Sequence, residues 1–173
     1  MLPMTPSSSS SPTLVATTLS GLTFAAVLGA GAVGGVFYAF SSFVMPALER
    51  LPAAQGLAAM KEINVTAEHP AFMVVFMGTT ALCLYLGVRG VLDWGDTRAT
   101  LLVAGSALYL AGTFLLTVAY NVPLNNELAG VSPHAADAAH HWREYLDQWS
   151  WANHVRGATS IAAAAAYMGA LLA

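Results

Sequence analysis

Charge is what this sequence has least of. Of its 173 residues only 9% are Asp, Glu, Lys or Arg, where a soluble domain carries about 25%. The first charged side chain is Glu49, so residues 1–48 carry no charge at all. A water-facing surface cannot be assembled from such a segment. Cysteine is scarcer still: Cys83 stands alone, which excludes an intramolecular disulfide, a thiolate zinc cluster and a C-x-x-C-H haem attachment. Six Lys and Arg against nine Asp and Glu give a net charge of -3 with no basic patch. Nucleic acid is therefore not an expected partner.

Long apolar runs fill the chain instead. Besides residues 1–48, residues 70–88, 99–126 and 157–173 are uncharged. About 20 apolar residues, rising about 1.5 Å each, cross a hydrocarbon core of about 30 Å. The pattern predicts four transmembrane helices over residues 19–44, 70–88, 100–122 and 149–172. Continuous rather than alternating hydrophobicity favours helices over a porin-type barrel. The expected fold is all-α: an integral membrane four-helix bundle with membrane lipid around it. Residues 1–18, with five successive serines flanked by prolines, read as a disordered tail, and residues 19–173 as a single transmembrane domain. The first run lacks a basic n-region and is too long for a cleaved signal, so it reads as a span.

Residues 29–34 read GAGAVG, which has the G-x-G-x-x-G spacing of a dinucleotide-binding turn, and Glu49 stands where a ribose-binding acid is expected. A Rossmann unit also needs an amphipathic helix, a second strand and charged outer helix faces. None of these follows Gly34. The same region offers Gly31 and Gly35 as G-x-x-x-G, a patch that lets helices approach closely and admits helix-mediated oligomerisation.

Four spans put both termini on one side, and the polar clusters gather on the other. They read FYAFSSFVMPAL where the first span ends, INVTAEHPAF before the second, TVAYNVPLN where the third ends and WSWANHVR where the fourth begins. At about 100° per residue, Gly34, Tyr38, Ser41 and Met45 fall on one stripe. Thr117, Asn121 and Asn125 are spaced by four, with Pro123 expected to kink or end their helix. Trp149, Asn153, Arg156 and Ser160 share a face of the fourth span, His154 sits at its edge, and Trp151 points away toward the lipid interface. Two short extramembrane helices are expected on this side. One lies between residues 46 and 67, with Ala53, Leu57, Met60 and Asn64 turned inward; the other spans residues 135–146 and carries a solvated charged face. Ser41, Ser42 and Thr117 are expected to bond their own helix carbonyls. Arg156 is the sharpest feature, because a charged side chain within a span is functional by default.

The motifs FYAFSSFVMPAL, NVPLN at residues 121–125 and WSWANHVR at residues 149–156 resemble those of the anthrone oxygenase-like family, over roughly residues 21–160. That resemblance implies a small four-helix membrane protein, some of whose fungal relatives oxidise polyketide anthrones to anthraquinones. It also implies that Asn121, Asn125, Trp149, Asn153, His154 and Arg156 belong to a shared polar cluster. The corresponding chemistry is an O2-dependent oxidation of a hydrophobic aromatic molecule, with O2 as co-substrate and no metal or other cofactor expected. It needs a base, an oxyanion partner and a dry aromatic pocket. His154 is the side chain in the cluster suited to act as a base near neutrality. Arg156, Asn121 and Asn125 suit the developing oxyanion. Phe37, Phe40, Tyr38 and Trp149 suit a planar ring, with Ser41, Asn64 and Asn153 completing the substrate-binding set.

Two other readings stand beside this one. In the first, a non-catalytic carrier or accessory subunit uses the polar cluster only to pack its helices. In the second, His69 and His154, with Glu68, bind a metal or haem, although their spacing follows no regular ligand pattern. The expected location is the plasma membrane. Arg89 and Arg98 flank the short connection on the side of the termini, so the positive-inside rule favours cytoplasmic termini.

Overall fold

Backbone groups inside a bilayer have no water to bond to, so a spanning chain must satisfy them internally. Among the described residues every membrane-spanning stretch does so with helix. The computed structural model describes residues 10–173, and no strand occurs among them. The first nine residues of the expected tail lie outside the described residues, whereas residues 10–18 already form the start of the first helix.

Helix α1 comprises Ser10–Ala39, a widened π-helical turn at Phe40–Val44 and a last turn at Met45–Glu49. The short α2 is Ala53–Ala67, and α3 is Pro70–Leu92. Helix α4 comprises Thr97–Tyr109, widened turns at Leu110–Leu115 and Thr117–Asn121, and Val122–Gly130. Helix α5 is Ala138–Leu172. Four stretches are long and apolar enough to cross a membrane: Ala16–Glu49, Pro70–Leu92, Thr97–Gly130 and Ala138–Leu172. The chain is a multi-pass helical membrane protein. Large apolar side chains such as Phe24, Leu28, Val74, Leu84, Leu115 and Ile161 face outward, where lipid can receive them.

Of the two short helices expected beside the bundle, α2 is separate and buries Leu57 and Met60. The second is the first three turns of α5, continuous with the fourth span. No Gly or Pro interrupts the chain between Ala138 and Gly157, and the buried residues Ala138, Trp142, Tyr145, Trp149 and Asn153 recur at helical spacing across the expected boundary.

Pro46 and Pro123, well within the long helices, act alike. They lack the N–H groups that the carbonyls of Ser42 and Ala119 would otherwise receive, and each stands one residue beyond a widened turn. Pro123 therefore does not end α4. Hydroxyls support these turns: Ser42 Oγ donates to the Tyr38 carbonyl at 2.7 Å and Thr117 Oγ1 to the Thr113 carbonyl at 2.7 Å.

The four long helices close a ring in which α1 packs on α3 and α5, and α4 packs on α3 and α5. Close approach of α1 to α5 falls on Gly34, where an added Cβ would meet Ile161 Cγ1 at 2.9 Å and Ser160 Cβ at 3.2 Å. Gly31 and Gly35, expected to supply that surface, have nothing within 4 Å. The inward face of α1 is set by Ala26, Ala30, Val33 and Phe37, which leaves both glycines on the outside.

Two apolar cores result. One fills the bundle with Phe37, Phe76, Leu86, Leu102, Tyr109 and Tyr167. The other caps the end away from the termini, where Met45, Leu57, Met60, Leu128, Trp142 and Trp149 meet.

Candidate functional site

The two cores are joined by a polar centre around Arg156. Its side chain projects from α5 between Phe37 of the first core and Trp149 of the second and is only 4% exposed. The guanidinium carbon lies 4.3 Å from the Phe37 ring centroid and 5.0 Å from that of Trp149, so two aromatic faces hold the cation. Nη2 donates to Asn153 Oδ1 at 2.9 Å and Nη1 to Thr117 Oγ1 at 3.3 Å. None of the ion pairs among the described residues involves Arg156.

Asn153 is the bracket of this centre. Fully buried one helical turn before Arg156, it spends its amide nitrogen on α1, donating to the Phe37 carbonyl and to Ser41 Oγ, both at 2.8 Å. Its amide oxygen is thereby left facing the arginine. Ser41 accepts this bond from Asn153, whereas Ser42 and Thr117 bond their own helices as expected. Thr113 closes the other side, with Oγ1 at 2.8 Å from Ser160 Oγ and 3.3 Å from the Arg156 carbonyl.

Four buried polar atoms at this end of the bundle have no protein partner: Arg156 Nε, Trp149 Nε1, Trp142 Nε1 and Asn121 Oδ1. Buried polar groups are nearly always satisfied, and a guanidinium carries five donors. Arg156 has two of its terminal N–H groups committed and its Nε–H free. A desolvated cation with spare donors and no carboxylate is suited to an oxyanion. Asn121, 1% exposed, reaches the Trp149 carbonyl through Nδ2 at 3.5 Å.

A second polar group lies one layer nearer the cap. Tyr145 Oη donates to Asn125 Oδ1 at 2.8 Å and accepts from Asn64 Nδ2 at 3.4 Å. Its ring stacks between Trp142 and Trp149, with centroid separations of 5.8 Å and 6.2 Å. Phe40 completes the wall, 5.7 Å from Trp149.

Phe37, Asn121, Trp149, Asn153 and Arg156 are thus brought together, with Ser41 at their edge and Asn64 and Asn125 linked through Tyr145. Two residues expected in the site stand outside it. Tyr38 is 64% exposed, because α1 is phased on Phe37 and the next residue lies about 100° round the helix. His154 is exposed, with Nδ1 bonded to the Ser150 carbonyl of its own helix. It follows Asn153 by one residue, and the same 100° carries it out of the centre. His69 is the exposed residue that precedes α3, and no group of three or more His, Cys, Asp or Glu suited to a metal occurs among the described residues. Tyr145 and Thr113 were missed. Tyr145 lies four residues before Trp149 and eight before Asn153, a spacing that becomes meaningful once α5 is one helix.

The fold and this centre define a class: a small helical membrane protein with a buried cationic site at one end of its bundle. The family model described as anthrone oxygenase matches residues 72–166, over half of the chain, and the chain belongs to that family. The matched region runs from α3 into α5 and includes Asn121, Trp149, Asn153 and Arg156. No curated protein and no solved structure matches the chain.

Proposed function

We propose that this protein is a membrane oxygenase that uses O2 to oxidise a planar, enolisable aromatic ketone of the anthrone type to the quinone. The observation that carries this reading is Arg156: a buried cation, stacked on Phe37 and Trp149, with a free Nε–H and no carboxylate partner. The same rings that hold the guanidinium offer an apolar wall to a flat substrate.

Loss of a proton from the ketone's methylene gives an enolate whose oxygen Arg156 receives. Placing that charge beside a desolvated cation lowers its energy far more than water would. The proton leaves to water. The electron-rich enolate passes an electron to O2, and recombination of the two radicals forms a carbon–oxygen bond. Protonation gives a hydroperoxide. Loss of the remaining C–H proton with cleavage of the O–O bond then yields the quinone and water. One O2 is consumed, with one atom in the quinone and one in water. The electron donor is the substrate itself, so this route requires no metal or flavin.

His154 has no part in this reading, since its ring lies outside the centre. Asn121 steadies Trp149 through its buried amide, and Asn125 acts through Tyr145. In this reading the protein sits in the plasma membrane with cytoplasmic termini, on the strength of Arg89 and Arg98 beside the short connection.

The alternative is a purely structural centre, favoured by the bonds that Asn153 makes from α5 to α1. Quinone formation from an anthrone, measured by absorbance above the protein-free rate, separates the two. The oxygenase reading requires turnover by the wild type and its loss in a folded Arg156→Gln variant. Equal rates with and without protein would refute it.

A further inference from the structure

Next to the polar centre, between the last turns of α4 and the first turns of α5, lies a cleft of about 240 Å³. Its inner part is formed by Tyr145 and Leu128, 4% and 2% exposed, with Leu124 half-buried beside them. Its rim is formed by the exposed Glu127, His141, Glu144 and Gln148. We propose that this cleft is the docking site through which the aromatic substrate enters, that it admits the uncharged ketone and disfavours anions, and that Tyr145 is a positioning residue which passes the ring to Arg156. This rests on the proposed oxidation for the identity of the ring.

Three observations converge on it. Continuity is the first. Tyr145 both lines the cleft and stacks on Trp149, whose ring also meets Phe40 and the Arg156 guanidinium. A flat molecule at Tyr145 is therefore one aromatic layer from the cation. Size is the second. Small-molecule pockets span about 300–1,000 Å³, and a cleft just below that range suits one compact planar molecule.

Charge is the third. Two carboxylates stand at the rim beside His141, Glu144 lying 3.4 Å from His140, and an unpaired cation is buried behind, so with the histidines neutral the field changes sign along the route. An anion meets repulsion at Glu127 and Glu144, whereas a neutral ketone does not. Ionisation is thereby deferred until the ring is beside Arg156. Tyr145 is held in place for this by Asn125 and Asn64, which gives the two asparagines a role in substrate placement rather than in the reaction itself.

Binding decides the matter without turnover. The probe is a hydroxyanthraquinone that is neutral at pH 8, where histidine is neutral too, followed by its own visible absorbance on the full-length protein in detergent. Leu124→Trp fills the cleft from its half-buried wall, and Gln148→Trp narrows it from an exposed position that leaves the fold intact. Both should weaken binding by about tenfold or more. Tyr145→Phe keeps the stack and should restore binding relative to Tyr145→Ala, while raising KM for an anthrone with little change in kcat. A carboxylated anthraquinone should bind the wild type more weakly than the neutral ring, and Glu127→Gln should narrow that difference. Unchanged affinity in both tryptophan variants, equal binding of the two rings, or no binding by the wild type would overturn the proposal. A protein that binds through the cleft yet forms no quinone would instead refute the oxidation reading and leave the docking site standing.

Discussion

Arg156 and Phe37 form a cation–ring pair, 4.3 Å from guanidinium carbon to ring centroid, across the interface of the first and last membrane helices. The pair is locked from both sides by one residue, because Asn153 donates to the Phe37 carbonyl and accepts from Arg156 Nη2. The position of the charge is thus set by contacts between helices and not by an opposing charge.

Arg156→Lys retains a cation but loses the planar fork and the stacking on two rings. A lysine ammonium cannot serve Asn153, Thr117 and an oxyanion in one plane. Anthrone oxidation should fall by about 10²–10³-fold, the scale for loss of a preorganised oxyanion donor. Circular dichroism in detergent should show the helical content unchanged. Activity within a few-fold of wild type would mean that charge alone suffices.

Asn153→Ala removes the bracket. It leaves the Phe37 carbonyl and Arg156 Nη2 without these bonds, and unsatisfied buried groups cost about 1–3 kcal/mol each. The variant should unfold at lower temperature than wild type in a thermal melt and lose activity together with stability. A melt identical to wild type would contradict the bonding described for this residue.

His154→Ala should leave activity within about twofold of wild type, the scale of a surface substitution of about 0.5 kcal/mol. Its ring is exposed and bonded to its own helix. Steady-state rates with an anthrone check this. A loss of two orders of magnitude would restore the histidine to the role that its place in the sequence motif suggests.

Gly34→Leu and Gly35→Leu form a matched pair on α1. At Gly34 the new side chain meets Ser160 and Ile161, whereas Gly35 has open space. Only the first should destabilise the bundle, and overpacking of this kind costs about 1–3 kcal/mol or more. Equal melting temperatures for the two variants would contradict the packing of α1 on α5.

Much of this was legible in the sequence. The uncharged runs gave all four spans, and helical phase brought Asn121, Trp149, Asn153 and Arg156 to one centre. Phase failed where neighbouring residues competed for the same face. Gly31 and Gly35 match a packing motif, but Val33 and Phe37 decide which side of α1 is buried, and the motif cannot report that. Tyr38 and His154 were misplaced for a related reason, each being one residue from the side chain that does point inward. Tyr145 was hidden by the charged residues around it, which suggested a separate solvated helix. A continuous α5 puts those charges on one face and Trp142, Tyr145 and Trp149 on the other. The cleft at Tyr145 depends on where α4 and α5 diverge, a distance that no local pattern encodes.

The most direct test of the account asks whether Arg156 holds an oxyanion. A hydroxyanthraquinone bound to the wild type at a pH where the free compound is neutral should show the red-shifted absorbance of its phenolate, and bound to Arg156→Gln it should show the neutral spectrum. A neutral spectrum in both proteins, or a phenolate in both, would contradict the central claim.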